Sequence, residues 1–439
     1  MASVCIIGDI LVDVTLKSKN IPLKMRPGGI IHAARALWAM EVEYCLAYFA
    51  PSYLVKEIEE YMITLGNPKL IYLGEVDRCP YVMLINEAKE IGNQGYEFPL
   101  RDKIEIKYNS ENLEKLTEFS NVLIISGNFH LKKVLAYLNE SCKISIDVAN
   151  NVSDIGSLKN EDVKFEKIFV STSSELFRQF LQKGKFEIQM FVEQFIEITN
   201  KIILKENRGG SRAYDFEKKE LISVGSQTQP IVHSVGVGDV YCAVCLWQNT
   251  ILNFEKSLSY ASWIATEYAL TTFPLDFKSM TSKILKIEGE KLIHAKGIIL
   301  PWETRKNINI YIAAPDFDFV DTHHIELLDE SLKYHNFMPR RPVQENGQMK
   351  DGDSQVIKRK FFYEDMKLLD ECQILVAVLL YNDPGTLIEI GIAAERQMPT
   401  FVYDPKNIAQ NCMLTQIPNL VSDDLDLIIS EIFIAASKI

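Results

Sequence analysis

The chain reads as an α/β protein with mainly parallel sheets, divided into two domains, on three observations. Apolar, β-branched runs alternate with amphipathic stretches from end to end; 439 residues exceed the needs of one core; and the text changes character once, in its last third. The strand-like runs are Val4–Ile7, Val122–Ile125, Lys143–Asp147, Lys167–Val170 and Lys201–Leu204, then Ile308–Ala313, Ile374–Leu380 and Thr400–Tyr403. Between them lie Ile31–Met40, Leu131–Asn139, Ser174–Gln182 and Glu364–Asp370, where apolar residues return at the spacing of one helix face. After the helical stretch Ser257–Thr272, the residues Pro274, Gly289, Gly297 and Pro301 break the pattern before a fresh strand begins at Ile308. This places a first domain at 1–290, a linker at 291–307 and a second domain at 308–439.

Hydrophobic residues make up 47% and charged residues 24%, so both parts have the means to fold as globular bodies. The formal net charge is -12, from 59 acidic against 47 basic residues, which speaks against a duplex-DNA footprint, since that needs clustered Lys and Arg. Small basic pockets for single phosphates stay open. The opening MASVCIIGDILVDV lacks the basic start of a signal peptide and meets Asp9 and Asp13 early. No apolar run nears membrane-spanning length, and CQILVAVLLY has the length of a buried strand. Eight scattered cysteines, several inside apolar runs, fit free thiols in a reducing cytosol, so a cytoplasmic protein is expected. Cys242 and Cys245 form one C-x-x-C without a second pair, which fits the core face of a helix better than zinc or redox chemistry.

The first part carries Val235-Gly236-Val237-Gly238-Asp239 ahead of an apolar helical run. Two glycines let the backbone approach a ligand, the amides at the helix start favour an anion, and Asp239 is placed to take a proton from an attacking hydroxyl. Alone, such a segment is explained as often by a plain strand-to-helix turn. Its neighbours add weight: Gly8-Asp9-Ile10-Leu11-Val12-Asp13 near the start, then Arg26-Pro27-Gly28-Gly29 opening the helix Ile31–Met40.

Together these segments resemble the PfkB (ribokinase-like) family of sugar and nucleoside kinases, over roughly the first two-thirds of the chain. The resemblance implies a ribokinase-like three-layer α/β fold, with ATP and Mg2+ as cofactors. It implies that Asp13, Gly28 and Gly29 hold sugar hydroxyls, that Asp239 is the catalytic base, and that Gly236 and Gly238 shape the hole for the transferred phosphoryl group. Gly210 and Ser211 fall where the family's nucleotide loop follows a strand, and Glu175 is what remains of its N-x-x-E element. The departures are His32 for an Asn in the Gly-Gly helix, Lys205 and Asn207 for a Thr and a Gly of the nucleotide loop, and His233 for an Asp before the G-x-G-D. Two readings follow, an active kinase, which the retained Asp239 favours, and a ligand-binding relic.

The second part starts with the strand-like Ile308–Ala313, which ends in Ala314-Pro315-Asp316-Phe317 and so leaves room for a ligand at its carboxyl end. Later come Glu364-Asp365-Met366, a buried run, and Asn382-Asp383-Pro384-Gly385-Thr386-Leu387-Ile388-Glu389-Ile390-Gly391. Glu389 stands among small and apolar residues, where a carboxylate is costly unless paired or used. An isolated helical Glu usually caps or forms an ion pair; Tyr311, Asp365 and Asp383, all able to converge on it, favour use.

This pattern resembles the nucleoside 2-deoxyribosyltransferase family and its N-glycosidase relatives, over nearly all of Ile308–Ile439. The resemblance implies a flavodoxin-like or Rossmann-like doubly wound domain without a cofactor or metal. By it, Glu389 is the nucleophile, Tyr311 orients it, and Asp365 and Asp383 contact the base and supply its proton. Phe317, Gly385, Asn411 and Met413 fall at substrate-lining positions. A carboxylate attacks C1′ and displaces the base, as in retaining glycosidases, and a second base or water then completes transfer or hydrolysis. The polar insert Arg340–Lys360 reads as a mobile lid or disordered loop; Arg340 and Arg341 would suit a substrate phosphate, although a solvated charged loop explains them as well.

Two architectures of function result. In one, both domains are enzymes: the second frees or exchanges a base, the first phosphorylates a sugar or nucleoside. In the other, the kinase-like half is a sensor or oligomerisation module for a nucleotide-depleting glycosidase. The partners are small molecules in both, and the transferase resemblance implies a homo-oligomer.

Overall fold

A computed structural model describes residues 4–17, 22–149, 151–159, 163–182, 187–295, 297–350 and 352–439. The chain forms two compact units, one of Met1–Lys89 with Gln94–Ile299, the other of Glu90–Asn93 with Leu300–Ile439. The stretch 291–307, expected as a linker, is divided between them: the helix Gly289–His294 lies in the first unit and Trp302–Arg305 in the second.

The first unit is built on a 10-stranded sheet. Its centre runs parallel through Thr199–Lys205, Phe165–Ser171, Lys143–Asp147, Asn121–Ile125, Val4–Asp9, Tyr44–Ala50 and Lys69–Asp77. Strands such as Val4–Asp9 and Tyr44–Ala50 are buried along their whole length, which is why they read as continuous apolar runs rather than alternating ones. Antiparallel strands finish both edges. Helices Ile31–Ala39, Val237–Ile251 and Phe254–Ala269 share one core with this sheet, and Cys242 and Cys245 are fully buried there. Asp147 and Lys205 are the last residues of their strands, so both stand at the carboxyl end of the sheet, where such folds bind ligands.

A separate four-stranded sheet, in the order Lys24–Pro27, Val12–Thr15, Val82–Ile85, Tyr96–Glu97, was not legible in the sequence. Its antiparallel register sets Arg26 opposite Asp13.

The second unit holds a fully parallel five-stranded sheet ordered Met338–Arg340, Asn309–Ala313, Ile374–Val378, Thr400–Tyr403, Leu420–Ser422. Strand order reverses between Asn309–Ala313 and Ile374–Val378, and a doubly wound sheet opens a crevice at such a point. The insert Arg340–Lys360 is not a loop throughout. Pro342–Asn346 is helical, and one helix runs Gln355–Asp370, taking in the shorter Glu364–Asp370 expected there. Among the described residues, no helix is long and apolar enough to cross a membrane.

Candidate functional site

The second unit's crevice is organised by a tyrosine and three carboxylates. Tyr311 sits mid-strand in Asn309–Ala313, fully buried, and its hydroxyl donates to Glu389 Oε1 at 2.7 Å. Glu389 is held in the helix Pro384–Glu395, whose start is fixed twice: Pro384 occupies the first turn, and Asp383 caps it by accepting from the Thr386 amide at 2.8 Å and hydroxyl at 2.9 Å. Burial pushes the Glu389 carboxyl up to about 7; the Tyr311 hydrogen bond opposes this, and the negative charges of Asp365 and Asp383 add to it. Asp365, on the helix Gln355–Asp370, is also raised by burial, against a hydrogen bond of 2.8 Å donated by Asn346 Nδ2.

Tyr311, Asp365, Asp383 and Glu389 therefore meet in one electrostatic neighbourhood, from three separate segments, Asp383 and Glu389 sharing one helix and its cap. Asn346 is an addition that sequence reasoning missed, because it lies in the insert read as a loop. The half-buried Phe317 stacks on Phe319, centroids 5.5 Å apart and planes 16° apart, an aromatic face beyond the strand end. Gly385 lies open apart from the Asp383 carboxylate. Asn411 caps its own helix by accepting from the Met413 amide at 2.9 Å, and the Met413 side chain is 62% exposed, so neither is spent on the Tyr311–Glu389 pair. Arg340 grips Glu345, and Arg341 binds Asp316 through two contacts of 2.8 and 2.7 Å. Both arginines suggested for a phosphate already have carboxylate partners.

Replacing the Tyr311 hydroxyl tests this geometry. A hydrogen bond to a charged group contributes about 1.5–3 kcal/mol, so Tyr311→Phe is expected to move the titration of the Glu389 carboxyl up by about one to two pH units. The bond favours the ionised carboxylate, so its loss shifts that titration above the wild-type position near 7. An unmoved titration in Tyr311→Phe, followed by NMR of the carboxyl carbon, contradicts the contact.

In the first unit, Gly236 adopts φ +77 and starts the helix Val237–Ile251, with Asp239 in its first turn. A side chain at Gly236 would collide with the His32 ring, so the tight turn requires glycine. Burial, then the Asp147 charge, pushes Asp239 up to about 8, with Lys205 pulling the other way. Lys205 Nζ stands 2.6 Å from Asp147 Oδ2 and within 3.2 Å of where a Gly238 Cβ would lie. Burial disfavours the Lys205 ammonium, yet Asp147, Cys242 and Asp239 keep it protonated. Asp147 is fully buried, and its Oδ1 has no hydrogen-bond partner among the described residues. A helix start, a glycine turn and an ammonium form a cradle that fits a phosphoryl group.

The other expected residues of this unit are more scattered. Asp13 is 4% exposed; Oδ2 accepts from His32 Nε2 at 2.8 Å, and Arg26 Nε lies 3.8 Å away. A Cβ on Gly28 would overlap the Asp13 carboxyl, and one on Gly29 the Asp9 carbonyl, so both glycines serve close packing beside Asp13. The Ser211 hydroxyl pairs with Tyr241 at 2.7 Å, and Gly210 packs on the Val224 carbonyl. Glu175 is exposed and accepts from Gln179 at 3.0 Å.

Residues 310–427 match the family model of the nucleoside 2-deoxyribosyltransferases. Among solved structures, the chain is similar to an Escherichia coli protein assigned as ribokinase II, in its apo form, at 14% identity and a TM-score of 0.50, covering 67% of this chain and all (100%) of that one. It is also similar to the nucleoside kinase of Methanocaldococcus jannaschii, an archaeal member of the ribokinase family, at 16% identity and a TM-score of 0.45, covering 65% and 99% of the two chains. Arabidopsis thaliana ribokinase complexed with ribose and ATP gives 14% identity and a TM-score of 0.47, with 66% and 100% covered. No curated protein matches the chain in sequence. The parallel-rich sheet of the first unit has the ribokinase-like fold, and the smaller parallel sheet lies mostly within the residues that match the nucleoside 2-deoxyribosyltransferase model.

Proposed function

We propose, for a chain that joins a ribokinase-fold domain to a nucleoside 2-deoxyribosyltransferase domain, a bifunctional enzyme of nucleoside metabolism. Its second domain cleaves or exchanges an N-glycosidic bond through Glu389. The observation that carries this reading is the Tyr311–Glu389 contact, with the carboxyl pushed up to about 7 and two further carboxyls beside it.

In the first step the ionised Glu389 attacks C1′ of the nucleoside. The C1′–N bond breaks, its electron pair stays on the departing base, and Asp365, whose pKa burial raises, gives that base a proton. The product is a glycosyl ester of Glu389. In the second step the N–H of another base, or water, attacks C1′; the ester bond breaks, Glu389 leaves as a carboxylate, and the proton passes to Asp365. Tyr311 holds Oε1 in line and favours its ionised form, while Asp383 fixes the helix that carries it. Phe317 with Phe319 offers the base a stacking face.

The first domain, on this proposal, phosphorylates a sugar or nucleoside. ATP with Mg2+, when bound, supplies the phosphoryl group. Gly236, Gly238 and Lys205 hold that anion, and Asp239 takes the proton of the attacking hydroxyl. A second reading, an inactive sensor or oligomerisation module governing a nucleotide-depleting glycosidase, is favoured by the engagement of Asp13 with His32 and of Ser211 with Tyr241. A homo-oligomer is part of either reading, and the exposure of Ile388 (61%) beside Glu389 supports it.

Chromatography of a nucleoside and nucleotide panel incubated with the protein tests the proposal. Free base is expected without ATP, and new phosphorylated products only with ATP. If no panel member yields free base, the glycosidic reading fails.

A further inference from the structure

The cation at the glycine turn of the first domain is held by a carboxylate shut off from solvent. Asp147 ends the strand Lys143–Asp147 and Lys205 ends Thr199–Lys205, with Phe165–Ser171 lying between them in the sheet. The register sets Asp147 beside Phe169 and Phe169 beside Ile203, two residues before Lys205, so all four side chains leave the same face. Phe169 and Ile203 pack there in the core shared with the helix Val237–Ile251, whose first turn holds Gly238 and Asp239. Two strand spacings make about 9–10 Å, and the long, flexible stem of a lysine bridges most of that gap.

The Asp147 side chain is 0% exposed, against 12% for Lys205, so only the ammonium is open to a ligand. Asp147 Oδ2 accepts from Lys205 Nζ at 2.6 Å and from the Cys242 thiol at 3.2 Å, and Cys242 Sγ is itself 3.5 Å from Lys205 Nζ. An ammonium has three donors; Asp147 and Cys242 take two, which leaves one. A Cβ at Gly238 would lie 3.2 Å from Nζ, so the glycine lets the charge come close to the helix start. Burial works against the Lys205 charge, and Asp147 is the largest influence that keeps it. Asp239 faces Asp147 and Lys205 from the large sheet and Asp13 from the small one. Cys242 on its own helix and His32 against Gly236 are held neutral by burial.

We propose that Asp147 is a positioning residue of the first domain: itself out of reach of any ligand, it holds the Lys205 ammonium in place beside Gly238 for a phosphate oxygen of ATP. Asp147 has this role only if the domain binds a nucleotide, as the kinase reading requires. Removing one member of a buried ion pair leaves the other uncompensated, whereas removing both does not. Acting through Lys205, Asp147 therefore adds nothing to nucleotide binding once that ammonium is gone. The same carboxylate adds to burial in pushing Asp239 up to about 8, and Lys205 pulls the other way.

Two measurements on the full chain test it: the calorimetric Kd for ATP in magnesium buffer, and the titration of the Asp239 carboxyl by NMR of aspartate side-chain carbons, assigned by its loss in Asp239→Asn. The Kd is expected to rise about tenfold or more in Asp147→Asn and in Lys205→Met, and no further in the double variant than in Lys205→Met. The Asp239 titration is expected to move down from about 8 in Asp147→Asn, because the Asp147 charge outweighs that of Lys205 whether or not the ammonium survives. In Lys205→Met it is expected to move up. A merely structural role for Asp147 does not produce shifts of opposite sign. Should Asp147→Asn not fold, the double variant set against Lys205→Met carries the comparison, with equal Kd and a lower Asp239 titration expected. An unchanged Kd in Asp147→Asn, or a double variant several-fold weaker than Lys205→Met, overturns the proposal, and so does a wild type that binds no ATP. ATP bound as expected by wild type and variants, but without any phosphorylated product, sinks the kinase reading and leaves the role of Asp147 standing.

Discussion

Glu389→Gln protein is expected to release no measurable base from any nucleoside that the wild type cleaves, a loss of about 10⁴-fold or more, because the amide cannot form the glycosyl ester. The same variant is expected to be more stable than the wild type at alkaline pH. The Glu389 carboxyl rises from 4.5 to about 7 on folding. Between those values the folded chain holds a proton that the unfolded chain has released, so folding stability falls as pH rises through that window and remains lower above it. Glutamine carries no such charge. The variant should therefore gain up to about 3 kcal/mol at pH 8.5 and nothing near pH 4, read from denaturant midpoints of the domain's own transition. Wild-type kcat/KM, in turn, should decline as pH drops below about 7, since only the carboxylate attacks. Activity retained by Glu389→Gln would move the chemistry to another residue.

Asp239→Asn carries the other large effect. General-base removal is expected to reduce ATP-dependent phosphorylation about 10²- to 10⁴-fold while leaving base release untouched. The wild-type transfer rate should climb with pH through about 8, because Asp239 accepts a proton only once ionised and its surroundings hold it protonated at neutrality. Radiolabelled ATP and thin-layer separation of products read both quantities in one reaction. If Asp239→Asn matches the wild type in every reaction, the first domain acts as a sensor and the catalytic reading of its glycine turn fails.

The sequence made many strands buried on both faces legible, as in Val4–Asp9 and Ile374–Val378, since such runs are apolar, but the equally buried Tyr44–Ala50 was not among the strands read. It hid the small sheet containing Val12–Thr15 and Lys24–Pro27: these strands are short, and in the second the charged Arg26 is mostly buried while the apolar Met25 is 65% exposed. The helix Gln355–Asp370 was read at half its length because Val356, Ile357, Phe362 and Tyr363 are exposed, so its apolar residues do not mark its core face. Asn346 and its bond to Asp365 stayed hidden because the polar insert was read as a loop, whereas Pro342–Asn346 is helical. The link between Tyr311 and Glu389, 78 residues apart, was visible only through a family-like order of motifs. His32 was noticed as a departure at one position, but its partnership with Asp13 follows from three-dimensional closeness that no spacing rule encodes.

Arg305 sets where the second domain can be cut free. Its fully buried guanidinium donates to the Leu300 and His335 carbonyls and lies against the rings of Trp302 and Phe433. A fragment cloned from the first strand onward would discard Trp302 and Arg305, leaving Phe433 and the His335 carbonyl stripped of their cover. An excised domain should thus begin no later than Leu300, eight or so residues ahead of the point that β-strand patterning alone would choose.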